Sequence, residues 1–229
     1  MIQFDVITIF PEIFKGFVSE SLLARGQKNK IIKIGLHNLR KWTTDKHKTV
    51  DDKPYGGGPG MLLKVEPIFK AVQEIKKQGS KGSTLDLQKG RTLKKTRVIL
   101  FSPRGEKFTQ KDAKRLAKYS QLILICGRYE GVDERITDYV VDEVVSVGDF
   151  VLNGGEVAAM AVIESVSRMV PMFIAKKESA EKFDHPQYTR PEAFEVKSKK
   201  SKEKILWKVP KVLLSGDHKK IKEWREKYG

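Results

Sequence analysis

The sequence predicts an α/β domain carried on a mostly parallel sheet. Across the first 170 residues, short apolar runs rich in β-branched residues alternate with segments whose apolar side chains recur at helical spacing. Three of those runs lead directly into glycine-rich turns, the arrangement in which parallel sheets present ligand sites at their carboxyl ends. The length of 229 residues, with 39% hydrophobic and 32% charged side chains, is enough for one large buried core plus a small second domain.

The elements follow in order. Ile2–Phe10 reads as a strand that stops at Pro11, and residues 11–25 place Ile13, Phe14, Phe17, Val18 and Leu22 at helical spacing. Ile31–Leu36 is a second short strand, and residues 38–61 form a long polar, glycine-rich loop. Helix 66–78 sets Ile68, Phe69, Val72 and Ile75 on one face, and residues 79–96 read as a mobile surface excursion. Val98–Phe101, Leu122–Cys126 and Glu143–Val147 are strands. Between them Thr109 and Asp112 open a helix as a capping box, and a short helix spans about 132–139. Glu156–Met169 is a helix with Val157, Met160, Ala161 and Val166 in its stripe. Residues 175–190 read as a linker, Lys197–Lys204 as a basic solvated loop, and Asp217 as the cap of a last helix bearing Ile221, Trp224 and Tyr228. Residues 192–229 are too few for a large core and need another surface to lean on.

The net charge is +16, and it is uneven. Residues 171–229 carry 16 basic and 9 acidic side chains, more than twice the net charge density of residues 1–170. A polyanionic partner docking on the last quarter of the chain is the expectation. Cys126 is the lone cysteine, so neither a disulfide framework nor a cysteine zinc site is available, and it reads as a packed thiol. The N-terminus has no basic leader with a cleavage site, and no apolar stretch nears the ~20 residues of a membrane span. A cytoplasmic protein without membrane contact is expected. There is no G-x-x-x-x-G-K-[ST], no G-x-G-x-x-G and no H-E-x-x-H, which sets aside P-loop, Rossmann-fingerprint and zinc-hydrolase readings.

The glycine-rich segments occur in a fixed order. Thr49-Val-Asp-Asp-Lys-Pro-Tyr-Gly-Gly-Gly-Pro-Gly-Met61 comes first, then Cys126-Gly-Arg-Tyr-Glu-Gly-Val-Asp-Glu-Arg135 and Gly148-Asp-Phe-Val-Leu-Asn-Gly-Gly-Glu156. Ser165-Val-Ser-Arg168 and Pro186-Gln-Tyr-Thr-Arg-Pro191 follow. Together they resemble the bacterial tRNA (guanine-N1)-methyltransferases of the TrmD type, from Ile2 to about Trp224. The resemblance implies a SPOUT-type parallel sheet with a deep trefoil knot, which general connection rules would not have offered, plus a small helical C-terminal domain. It implies residues 1–172 as the knotted domain, 173–190 as the linker and 191–229 as a small basic tRNA-binding domain. It also implies S-adenosylmethionine held by backbone groups in the knot. By position Phe101, Ser102 and Pro103, then Gly127, Tyr129 and Glu130, then Val147, Gly148, Asp149, Phe150, Val151 and Leu152 with Gly154 and Gly155 are the donor-pocket residues.

Transfer to guanine N1 needs a base for the N1 proton and a cation for charge developing toward O6. Arg168 matches the family's catalytic arginine. The family's aspartate sits in an Asp-Ser-Phe segment, and this linker reads Lys177-Glu-Ser-Ala-Glu-Lys-Phe-Asp-His185 instead. Asp184 is the first candidate for the base and Glu181 the second; loss of the base with the shortened linker is the other possibility. Asp51 and Asp52, with Tyr55, are positioned to meet the guanine edge, though the aspartates suit a turn-stabilising role equally well. Arg25, Lys219 and Arg225 are candidate RNA contacts. The resemblance further implies a homodimer with active sites shared across its interface, and assistance by Mg²⁺. The rival reading is a donor-binding tRNA-binding protein with weakened catalysis.

Overall fold

The computed structural model describes residues 1–81, 95–175, 185–197 and 204–228. Two compact units are present, Met1–Ala180 and Glu181–Gly229. The first is built on a five-stranded sheet in the order β2-β1-β6-β5-β7. Its strands are β1 (Ile2–Thr8), β2 (Ile32–Asn38), β5 (Thr96–Lys107), β6 (Gln121–Ile125) and β7 (Glu143–Ser146). Every neighbouring pair in it is parallel. A minimal antiparallel pair, β3 (Asp51–Asp52) with β4 (Leu62–Leu63), closes the long loop.

Alternation along the strands gives the sheet two cores, as expected when helices cover both faces. Phe4, Val6, Leu122, Leu124, Ile99 and Phe101 face one side. There they pack on Ala113 and Leu116 of α4 (Gln110–Leu116) and on Ala158, Val162 and Val166 of α6 (Glu156–Arg168). Ile7, Val98, Leu100, Ile123 and Ile125 face the other side, against Ile68, Val72 and Ile75 of α3 (Val65–Lys81) and Ile136 of α5 (Glu134–Tyr139). The capping box at α4 is formed: the Asp112 carboxylate accepts from the Thr109 N–H at 3.0 Å and from its hydroxyl at 2.6 Å.

Several expectations need correction. The single helix over 11–25 is three pieces: a 3-10 turn at Pro11–Phe14, α1 (Lys15–Ser19) and α2 (Ser21–Lys28). Glu20 is extended and Ser21 has φ of 53°; the Ser19 hydroxyl meanwhile bonds the Gly16 carbonyl at 3.2 Å. Such local side-chain bonds compete with helix continuation. On α6 the buried stripe is Ala158, Ala159, Val162, Ile163 and Val166, while Val157 is 57% exposed. Phe69 of α3 likewise faces outward, and Ala71 takes a buried place. The excursion predicted for 79–96 is shorter, since α3 reaches Lys81 and β5 begins at Thr96; residues 82–94 lie outside those described.

The second unit is not purely helical. It holds an antiparallel hairpin, β8 (Ala193–Lys197) with β9 (Lys204–Lys208), then α7 (Lys211–Leu214) and α8 (His218–Tyr228). The register pairs Phe194 with Trp207 and Val196 with Ile205, a period-two pattern hidden by the lysine run between the strands. Asp217 caps α8 as expected, accepting from the Lys219 and Lys220 N–H groups at 3.1 Å. Trp224 lies against Tyr188 and Tyr228, with ring centroids at 6.2 and 5.0 Å.

Candidate functional site

A cavity of about 440 Å³ opens at the carboxyl ends of β5, β6 and β7, within the first unit. One wall is Phe101–Arg104, where β5 leaves its pairing with β7 and rejoins it at Glu106. The departure is tight: a Cβ on Gly105 would stand 2.6 Å from the Val144 carbonyl carbon. A second wall is Gly127–Val132, and the third runs from Val145 to Gly155 except for Asp149. Thirteen of the fourteen residues singled out for the donor pocket therefore share one cavity. Asp149 is the exception. It is exposed and ion-paired with Lys107 of β5.

The turns are packed onto one another through backbone. The Gly155 N–H donates to the Gly127 carbonyl at 3.0 Å, and Arg128 bridges Gly154. A Cβ on Gly155 would lie 2.8 Å from the Cys126 Cα, so no other residue fits without moving the cavity floor. Cys126 itself is buried, and that burial pushes its thiol well above the ordinary range. It is a packed thiol and no nucleophile.

The loop carrying Asp51, Asp52 and Tyr55 docks against the second wall. The Glu130 N–H donates to the Met61 carbonyl, the Leu63 N–H to the Gly131 carbonyl and the Asp133 N–H to the Leu63 carbonyl, each at 3.0 Å. Leu62 thereby becomes part of the cavity. Tyr55 and Asp52 are exposed beyond it on a turn where Gly56, Gly57, Gly58 and Gly60 all have positive φ. Arg25 is exposed on α2, and Lys219 and Arg225 are exposed on α8.

Arg168 is not beside the cavity of its own chain. It ends α6, whose first turn supplies the cavity floor, and a helical rise of 1.5 Å per residue over that helix separates the two by about 18 Å. Glu181 and Asp184 lie outside the described residues.

Several cavity residues were not anticipated. Arg104 and Glu134 pair across the rim at 2.6 Å. Arg128 reaches Glu156 at 2.9 Å, a carboxylate buried at the start of α6. The Thr137 hydroxyl of α5 is buried at the wall and has no hydrogen-bond partner among the described residues. Arg104 and Arg128 sit inside glycine-rich turns that were legible, whereas Thr137 is mid-helix and carries no sequence signal. Beside them the Arg135 guanidinium, hydrogen-bonded to Asp133, holds that carboxyl below its usual range. Among the described residues no cluster of three or more His, Cys, Asp or Glu side chains is placed to hold a metal ion.

A cavity walled by glycine-rich turns at the carboxyl ends of parallel strands places the chain among α/β proteins with the kind of cleft in which such sheets present ligand sites. Comparison with known proteins gives the class a family. The family model described as tRNA (guanine-1)-methyltransferase TrmD matches residues 2–228. The tRNA (guanine-N(1)-)-methyltransferase of Dictyoglomus turgidum is 44% identical, over 99% of this chain and 84% of its own length. That of Thermomicrobium roseum is 46% identical, over 97% and 77% respectively. The chain belongs to the tRNA (guanine-1)-methyltransferase family of the TrmD type.

Proposed function

We propose that this chain transfers a methyl group from S-adenosylmethionine to N1 of the guanosine immediately 3′ of the anticodon, position 37, of tRNA. Family membership supports the reaction, and one structural observation carries the site: the three glycine-rich turns wall a single cavity. Its volume falls within the range of small-molecule pockets. Its lining suits a nucleoside-bearing ligand: Leu100, Val132, Leu152 and Ala158 offer apolar contact, backbone groups line the turns, and the Thr137 hydroxyl, without a hydrogen-bond partner among the described residues, offers a polar one. S-adenosylmethionine would supply an electrophilic methyl group on a sulfonium that leaves as a neutral thioether.

The chain's own residues supply the rest. A linker carboxylate, Asp184 or Glu181, takes the guanine N1 proton, and the Arg168 guanidinium stabilises negative charge at O6. Asp51, Asp52 and Tyr55 hold the acceptor base, while Arg25, Lys219 and Arg225 neutralise phosphates. In this reading residues 1–172 form the donor-binding domain, knotted through the three turns, and 191–229 form the tRNA-binding domain. The reading places the protein in the cytoplasm, where tRNA is processed, and includes Mg²⁺ as an aid to transfer. Among the described residues no helix is long and apolar enough to cross a membrane.

The active site is assembled from two copies of the chain. What supports this is the length of α6, which holds Arg168 far from the cavity of its own chain; in this reading a second copy brings its arginine. Phe10, Ile13, Tyr129, Phe150, Val151 and Val157 are all exposed on the elements around the cavity, apolar surface of the kind that obligate dimers bury.

The test is transfer of labelled methyl to unmodified tRNA transcripts with G37, against A37 controls. G37-dependent transfer supports the proposal. Donor binding without transfer would instead favour the tRNA-binding protein of weakened catalysis. Asp184→Asn and Glu181→Gln in the same assay identify the base as the one whose loss lowers the rate by well over tenfold, about 1.4 kcal/mol.

A further inference from the structure

Glu156 is the most buried carboxylate near the cavity, 1% exposed at the first position of α6. Both of its oxygens are engaged. Oε1 accepts from the Thr8 hydroxyl at the end of β1, 2.7 Å away, and Oε2 accepts from Arg128 Nε at 2.9 Å. The same Thr8 oxygen takes the Phe10 N–H at 2.9 Å. The Arg128 guanidinium lies 4.8 Å from the centre of the Phe10 ring. One carboxylate thus ties together the ends of β1 and β6 and the turn that opens α6. The turn makes room for it: a Cβ on Gly154 would fall 2.6 Å from Glu156 Oε2.

Charge is the second part of the argument. Arg128 lines the cavity, and an uncompensated guanidinium there would repel a cationic ligand in a partly desolvated setting. We infer that Glu156 is a positioning and charge-balancing residue of the donor pocket: it fixes Arg128 and cancels its charge beside a site that takes a sulfonium. The inference rests on the S-adenosylmethionine reading above. It separates two ligands of nearly the same shape, the cationic donor and its neutral thioether product, S-adenosylhomocysteine.

The experiment is calorimetric titration of both ligands into the full chain and its variants. Glu156→Gln keeps the shape and removes the charge. The expected result is at least a tenfold loss of affinity for S-adenosylmethionine and a loss at least threefold smaller for S-adenosylhomocysteine. Arg128→Gln shifts the ratio of the two affinities the opposite way, and the double variant returns it to within twofold of wild type. Thr8→Val, which loosens the clip and leaves the charges, weakens both ligands equally. Val162→Ala, in the buried stripe of the same helix, leaves the ratio unchanged; a merely structural role for Glu156 would make its variant behave like this one. If Glu156→Gln does not fold, Arg128→Gln alone decides, because an unmoved ratio overturns the inference. Equal losses for both ligands in Glu156→Gln overturn it too. Failure of the wild-type chain to bind either ligand would remove the donor reading itself, a result distinguishable from an unmoved ratio.

Discussion

Gly155 and Gly127 face each other across one hydrogen bond, yet a methyl group on each has opposite consequences. Gly155 has φ of −76°, and the φ of Gly127 is outside the left-handed region, so alanine suits both backbones. At such sites Gly→Ala stabilises by about 0.4–1 kcal/mol through the unfolded chain. Space decides the remainder. A Cβ added at Gly127 would meet its nearest atom, Val132 Cγ1, at 3.6 Å, an ordinary contact. A Cβ added at Gly155 would meet the Cys126 Cα at 2.8 Å and the Gly127 nitrogen at 3.2 Å, both backbone. Cys126 sits in the sheet-bound core and cannot withdraw, so α6 has to move. Overpacking of this kind costs about 1–3 kcal/mol, which leaves Gly155→Ala destabilised by roughly 0.5–2 kcal/mol after the entropic gain. At about 2–4 °C per kcal/mol for a chain of this size, the ligand-free melting temperature falls by several degrees. Gly127→Ala leaves it unchanged or slightly raised. Thermal unfolding followed by circular dichroism measures both. A Gly155→Ala variant that melts with wild type, or a Gly127→Ala variant that falls as far, refutes the reasoning.

Acid should weaken the first unit through Glu143. Burial alone would raise its carboxyl, but hydrogen bonds from Arg115 and Arg97, at 2.7 and 2.8 Å, outweigh burial and hold it below the usual range. Asp112 is lowered likewise, with bonds from Thr109 and Arg115 overcoming its burial. A carboxylate lowered on folding contributes stability above its unfolded pKa and loses it as pH falls through the folded one. Melting temperature should therefore drop below about pH 4.5, near the ordinary glutamate value, and Glu143→Gln should flatten that drop while lowering stability at neutral pH. Cys126 should resist aromatic disulfide reagents in the folded protein and react at once in denaturant; fast reaction of the native chain would contradict its burial. Binding to tRNA should weaken linearly in log–log coordinates as salt rises, and Lys219→Ala and Arg225→Ala should each reduce that slope by about one phosphate contact.

How far these features could be read from the chain differs by element. β6 announces itself because Leu122–Ile125 is apolar on both faces, as a central parallel strand must be. The glycine-rich turns were legible as a set through their order and spacing; at Gly105, Gly154 and Gly155 neighbouring atoms leave no room for a Cβ, and at Gly131 the backbone has a positive φ that favours glycine. The α6 stripe was misplaced because residues 157–163 are apolar without a break: Val157 and Ala161 carry the same periodic signal as Ala158 and Val162, and only neighbours choose the face. Asp149 points away from the cavity because its partner, Lys107, sits at the far end of a strand that leaves its pairing and returns, a pairing the sequence does not announce. The separation of Arg168 from the cavity follows from helix length, which the sequence does contain. That it matters follows only from knowing which end of α6 supports the cavity. The order β2-β1-β6-β5-β7 depends on crossovers, which leave no periodic trace.

The docking of the Gly56–Met61 turn against Glu130 has an evolutionary consequence. Gly60 has φ of 79°, and a Cβ there would enter the Glu130 side chain at 2.6 Å. Backbone bonds from Glu130, Leu63 and Asp133 fix the turn at that distance. The two segments are about seventy positions apart in the chain, yet a residue gained or lost at Gly60–Leu63 or at Glu130–Asp133 would break the register of those bonds. Insertions should therefore accumulate elsewhere. The two segments should drift together across relatives, as one inherited unit written in two places.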